Sequence, residues 1–166
     1  MGHAPTTEQE QESVMLLKTE ADTAQLARTL AGLARAGDAI LLSGPLGAGK
    51  SVFARAFLRN FCAAPDMEVP SPTYTLVQAY DSPTATAYHF DLWRLGSVEE
   101  LDELGWDDAC EGVMLVEWPE RLEDMTPPDA LHITLMVGAD GNRRVTLAGW
   151  ADRLPPQPAT LLEPGV

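Results

Sequence analysis

The sequence predicts a three-layer α/β fold, with a central, mostly parallel sheet between helical layers and antiparallel hairpins at the sheet edges. Three observations predict it. Short apolar runs, Ala39-Ile40-Leu41-Leu42 and Val113-Met114-Leu115-Val116, suit strands buried on both faces. Segments with apolar residues at helical spacing alternate with these runs. Two pairs of β-rich segments flank turn residues, at Asp81-Ser82-Pro83 and Asp140-Gly141, and read as hairpins.

Taken in order, residues 1–12 are polar and are expected to be disordered. Val14–Leu17 reads as a first strand. Thr19 then caps a helix, with Asp22 three residues on; Leu26, Leu30 and Leu33 form its stripe and Gly37 ends it. Ala39–Leu42 is the second strand, and a helix with Val52, Phe53, Ala56, Phe57 and Phe61 on its apolar side follows the loop after it. Thr73–Tyr80 and Thr84–Asp91 pair as a hairpin. Ser97 caps a helix with Glu100 completing a capping box, and Gly105 stops it. Val113–Val116 is a buried strand; Leu131–Val137 and Arg143–Leu147 form the second hairpin. The folded domain is expected to span 13–150, and the prolines at 155, 156, 158 and 164 predict a flexible tail over 151–166.

The loop after the second strand carries the chemistry. Gly44-Pro45-Leu46-Gly47-Ala48-Gly49-Lys50-Ser51 fits the phosphate-loop pattern of a Gly, four free positions, then Gly, Lys and Ser or Thr. The glycines let successive N–H groups point at one phosphate, and the following helix N-terminus adds partial positive charge beneath it. Lys50, one of only two lysines in the chain, reaches the β- and γ-phosphates; the Ser51 hydroxyl can bind Mg²⁺. The strand–loop–helix context makes the predicted class a P-loop NTPase fold. Gly44, Leu46, Gly47, Ala48, Gly49, Lys50 and Ser51 are the expected nucleotide-binding positions.

Such a site needs an acid at the end of a neighbouring buried strand, to hold Mg²⁺ or orient water. Glu117 follows Val113–Val116 directly, and Asp91 follows Tyr88-His89-Phe90. The bland alternative for each is a carboxylate that simply ends a strand. His89 reads as a hydrogen-bonded structural residue. Cys62 and Cys110 have neither metal-knuckle nor disulfide spacing, which suits reduced thiols in a cytoplasm.

The charge limits the partners. With 11 basic against 25 acidic residues the net charge is −14. Tight nucleic-acid binding rests on many Lys and Arg contacts, and the only adjacent basic pair is Arg143-Arg144. DNA and direct tRNA binding are therefore not expected. No apolar run approaches a membrane span. The acidic stretch of Glu99, Glu100, Asp102, Glu103, Asp107, Asp108 and Glu111 is either a solvated face or a docking patch for a basic partner.

Four blocks occur in order: the phosphate loop, Ser71-Pro72-Thr73-Tyr74-Thr75-Leu76-Val77, His89-Phe90-Asp91-Leu92-Trp93-Arg94-Leu95, and Leu115-Val116-Glu117-Trp118-Pro119. Over about residues 14 to 150 the chain resembles the bacterial TsaE family, the small ATPases of tRNA threonylcarbamoyladenosine biosynthesis. The resemblance implies ATP and Mg²⁺ as cofactors and the TsaB–TsaD complex as partner, with tRNA engaged only indirectly. It implies Ser51 and Glu117 at the metal, Lys50 as phosphate clamp and Asp91 as a second essential acid. It also places Thr73 in a switch-like loop, Trp118 beside the site, and the segment near Thr19 toward the base. Lys50, Asp91, Glu117 and Thr73 are thus the expected catalytic positions. Pro45 stands where the family usually carries an acid, Ser51 replaces the usual Thr, and Trp93 a common Tyr. A small-molecule kinase and a nucleotide-dependent interaction module without catalysis remain the alternatives; no Asn-Lys-x-Asp guanine signature occurs.

Overall fold

The computed structural model describes residues 12–163. Its elements are β1 (Glu12–Leu17), α1 (Glu20–Leu33), β2 (Ala39–Ser43), α2 (Lys50–Phe61), β3 (Val77–Asp81), β4 (Thr86–Asp91), α3 (Trp106–Ala109), β5 (Val113–Glu117), β6 (Leu131–Val137) and β7 (Arg143–Ala148). Short 3-10 segments cover Val98–Leu104, Pro119–Met125 and Pro158–Leu162. The seven strands form one sheet in the order β1-β7-β6-β2-β5-β4-β3. The central strands β6, β2, β5 and β4 run parallel, while β1–β7, β6–β7 and β3–β4 pair antiparallel. This is the expected architecture.

Strand alternation feeds two cores. Ile40, Leu42, Val113 and Leu115 turn to the face covered by α1 and α2, where Phe53 and Phe57 are fully buried. Ala39, Leu41, Met114 and Val116 turn to the other face, under the 3-10 segments and Trp106. Burying each large apolar side chain contributes about 1.5–3 kcal/mol. Because β2 and β5 are covered on both faces, they read as unbroken apolar runs.

Local chemistry sets the boundaries. The Thr19 hydroxyl accepts from the Asp22 N–H (3.1 Å), and Asp22 accepts from the Lys18 N–H (2.9 Å), capping α1 as expected. At Ser97 the expected cap does not form. Glu100 instead accepts from the Gly96 N–H (3.3 Å), and the segment winds as a 3-10 helix. The Thr73–Tyr80 strand is shorter than expected: Leu76, at φ 71°, breaks the extended chain, so β3 starts at Val77.

The expected flexible tail over 151–166 is corrected. Leu161 is only 3% exposed and belongs to the α1-side core. The Thr29 hydroxyl on α1 donates to the Leu161 carbonyl (2.8 Å), and Arg153 forms a two-pronged pair with Asp38 at 2.6 and 2.9 Å. Prolines lower the entropy lost on ordering such a turn-rich strap, which proline content alone does not distinguish from disorder. The packed unit therefore runs beyond residue 150. Residues 1–11 and 164–166, to which disorder and tail were also assigned, lie outside the described residues; Glu12 already belongs to β1.

Candidate functional site

The loop between β2 and α2 has the backbone its glycines predict. Gly49 caps α2 in the left-handed region, at φ 110°. Gly44 lies so close to β6 that an added Cβ would collide with the Leu135 carbonyl oxygen. The Ala48 N–H donates to the Pro45 carbonyl (3.2 Å), which tightens the turn. Among the described residues the N–H groups of Gly47, Gly49, Lys50 and Ser51 have no protein acceptor. That leaves a cluster of donors at a helix N-terminus, a fit for an anion.

Register brings the acids to this loop. In the parallel β4–β5 pair Asp91 stands opposite Glu117, and Glu117 stands opposite Leu42 of β2, two residues before Gly44. Strand alternation turns His89, Asp91 and Glu117 toward the face that α2 covers. The His89 Nε2 meets Glu117 Oε2 at 2.7 Å, both side chains buried. The Nε2–H tautomer donates to the carboxylate, leaving the buried Nδ1 an acceptor without a partner among the described residues. Asp91 is held at both oxygens: the Trp93 N–H donates to Oδ1 (3.1 Å) and the Thr73 hydroxyl to Oδ2 (3.2 Å). Ser71 in turn lies 2.7 Å from the Thr73 hydroxyl.

Ser71, Thr73, Asp91 and Glu117 line one cleft of about 370 Å³, together with Glu20, Lys50, Ser51 and Trp118, while His89 stands behind Glu117. Lys50 is buried, its ammonium 4.2 Å from the centroid of the Trp118 ring. Trp93 leans on the same ring, with centroids 4.5 Å apart. Arg143, on β7, also lines the cleft and donates to the carbonyls of Ala48 (3.0 Å) and Gly47 (3.1 Å). It ties the sheet edge to the phosphate loop, and bonding these carbonyls favours an outward turn of the loop N–H groups.

The donor set fits a hard cation. Ser51 and Glu117 supply oxygens, and the Glu117 oxygen opposite His89 accepts from no protein group among the described residues. Among those residues no cluster of three or more His, Cys, Asp or Glu forms a closed metal cage. Mg²⁺ needs none, since it keeps waters and takes substrate phosphates as ligands. The thiols are not activated: burial and Asp81 raise the Cys62 pKa, and desolvation with Asp107 and Glu111 raises that of Cys110.

A family model described as threonylcarbamoyl adenosine biosynthesis protein TsaE matches residues 17–145. The chain belongs to the TsaE family. The TsaE protein of Rickettsia felis is 38% identical over 133 residues, 80% of this chain and 77% of that protein. That of Bacillus subtilis is 32% identical over 134 residues, 80% and 82% of the two chains. The crystal structure of Bacillus subtilis YdiB superposes with a TM-score of 0.67 at 25% identity, covering 86% of this chain and 89% of that one.

In this TsaE chain the structure gathers Gly47, Gly49, Lys50, Ser51, Thr73, Asp91 and Glu117 around one cleft. Leu46 also lines the cleft with its side chain 87% exposed, whereas Ala48 is buried with its N–H engaged. Sequence reasoning missed Arg143, visible only as half of a basic pair. It read His89 correctly as hydrogen-bonded but did not find its partner. Arg143 is 95 residues from Ala48 and becomes legible only once β7 is placed.

Proposed function

We propose that this chain is a Mg²⁺-dependent ATPase that assists the TsaB–TsaD complex in the threonylcarbamoyl modification of the tRNA adenosine beside the anticodon, in the cytoplasm. The observation that carries the reading is the convergence of Lys50, Ser51, Asp91 and Glu117 on a cleft floored by unpaired loop N–H groups. Membership of the TsaE family supports the biological setting. Among the described residues no helix is long and apolar enough to cross a membrane.

In this reading the N–H groups of Gly47, Gly49 and Lys50 receive the phosphate oxygens of ATP, and the Lys50 ammonium balances charge on the β- and γ-phosphates. Ser51 and Glu117 would hold Mg²⁺. His89 fixes the Glu117 carboxylate, so that its remaining oxygen faces the cleft. Bound Mg²⁺ supplies charge neutralisation and orientation of the phosphates. Asp91, pinned by Thr73 and the Trp93 N–H, is the base that orients the attacking water. Trp118, with Trp93 packed on its ring, excludes bulk water from one wall. With a net charge of −14, the chain reaches tRNA through its partners rather than by its own surface.

The test is steady-state ATP hydrolysis and tRNA modification, with and without TsaB–TsaD, for wild type and Lys50→Ala. Lys50→Ala is expected to lower hydrolysis by roughly 10²–10³-fold and to abolish support of repeated modification. Equal hydrolysis by the two proteins overturns the ATPase assignment. Modification that needs neither overturns the assisting role.

A further inference from the structure

Three arginines from two helices meet in one groove. Arg28 comes from α1, Arg55 and Arg59 from α2, and the groove between these helices measures about 490 Å³. Ala24, Val52 and Ala56 contribute to its apolar lining. Among the described residues none of the three guanidiniums lies within ion-pair distance of a carboxylate. Arg28 donates to Gln25 Oε1 (3.1 Å) and Arg59 to the Met67 carbonyl (2.8 Å). Each guanidinium carries five N–H donors, so most of this capacity is unused. Three of the chain's 11 basic residues are thus concentrated on one helix pair of a protein with a net charge of −14.

We propose that this groove docks an acidic segment of the protein partner, its carboxylates on Arg28, Arg55 and Arg59 and an apolar side chain on the floor. The inference rests on the reading that the chain works on a protein complex. A nucleic acid is a poor occupant. Its phosphates extend well beyond three cations, and the remainder meets an acidic surface. A single small anion gains little, because Arg28 and Arg55 are exposed and their pairs are screened. Several carboxylates on one backbone make successive pairs at high effective concentration, and each can be gripped by a planar fork. The groove shares Val52 with the phosphate cleft, and Arg55 and Arg59 stand on the helix that opens with Lys50 and Ser51. A partner seated there would touch the same rigid element as the phosphate loop.

The test titrates purified TsaB–TsaD complex with wild type, R28E/R55E and R28K/R55K at low and raised salt. ATP hydrolysis by the free chain controls for folding and for the cleft. R28E/R55E is expected to weaken binding at least about tenfold, R28K/R55K far less, with hydrolysis unchanged in both. Added salt should weaken wild-type binding more than that of R28E/R55E. Equal binding by wild type and R28E/R55E overturns the docking groove and leaves the proposed function standing. Failure of wild type itself to bind TsaB–TsaD overturns the proposed function. A short RNA that binds wild type but not R28E/R55E overturns the acidic occupant in favour of nucleic acid.

Discussion

The Lys50 ammonium sits 4.2 Å from the centre of the Trp118 ring, and Trp118 reaches that position with a left-handed backbone, φ 58° and ψ 52°. Among the described residues no carboxylate pairs with this buried lysine. The ring face therefore replaces part of its lost hydration, an interaction of about 0.5–2 kcal/mol. It also confines a flexible four-carbon stem within the cleft. Trp118→Ala is expected to raise the KM for ATP by roughly 2- to 30-fold, with a smaller change in kcat. Trp118→Phe, which keeps a π face, should recover most of the loss. A lower KM in Trp118→Ala would show instead that the ring competes with phosphate for the ammonium.

Arg143 carries the second prediction. Two charge-assisted hydrogen bonds to the Gly47 and Ala48 carbonyls hold the phosphate loop against β7. Arg143→Ala releases both and leaves the N–H cluster less ordered. ATP affinity should fall by about ten- to a hundredfold, while thermal stability changes little because the guanidinium lies at the cleft edge. Arg143→Lys can restore one bond at most and should fall between the two. Isothermal titration with ATP distinguishes these outcomes. Wild-type affinity in Arg143→Ala would mean that the glycines alone set the loop.

What the sequence disclosed and what it hid follow one physical rule. Glu117 and Asp91 were legible because each ends an apolar strand, and strand ends beside a phosphate loop lie at the site. Lys50 and Ser51 were legible because their motif is contiguous. Arg143, the Arg28–Arg55–Arg59 groove and the Asp38–Arg153 pair were not, because each joins segments whose proximity depends on sheet order or helix packing. Arg55 and Arg59 alone, one turn apart on α2, gave no basic stripe; α1 lying on α2 brings Arg28 beside them. The tail was misread because proline is common both in disordered segments and in ordered straps. The burial of Leu161, the Thr29–Leu161 hydrogen bond and the Arg153–Asp38 pair separate the two cases here.

His89 supports Glu117 through a buried bond of 2.7 Å. Removing it leaves a buried carboxylate oxygen without its donor. His89→Ala should destabilise the fold by about 1–3 kcal/mol. It should also raise the Mg²⁺ concentration for half-maximal hydrolysis by roughly 10- to 100-fold, as expected for loss of a partner that orients a metal ligand. Urea unfolding reads the first effect and a Mg²⁺ titration of hydrolysis the second. If stability falls but the Mg²⁺ dependence does not move, His89 is a packing residue and Glu117 needs no orientation.

The Asp38–Arg153 pair makes stability depend on acid. Burial works to raise the Asp38 pKa, but the Arg153 hydrogen bonds and the Arg35 N–H oppose it and prevail, so the carboxyl titrates below its ordinary 3.8. A depressed folded-state pKa adds stability that is fully present above the unfolded value and is lost as pH falls through the folded one. Arg153 also donates to the Leu33 carbonyl at the end of α1 (3.1 Å), and its guanidinium carbon lies 4.2 Å from the Trp150 ring centroid, so the pair fastens the strap to the domain. Arg153→Ala should cost about 1.5–3 kcal/mol near neutral pH. The contribution from Asp38 should shrink as pH falls below 3.8 and vanish only below the lowered folded-state pKa, so wild type and variant converge in strong acid. Urea unfolding at pH 7 and at pH values below 3.8 measures the difference. A penalty that is the same at both would show that Arg153 acts through Leu33 and Trp150 rather than through Asp38.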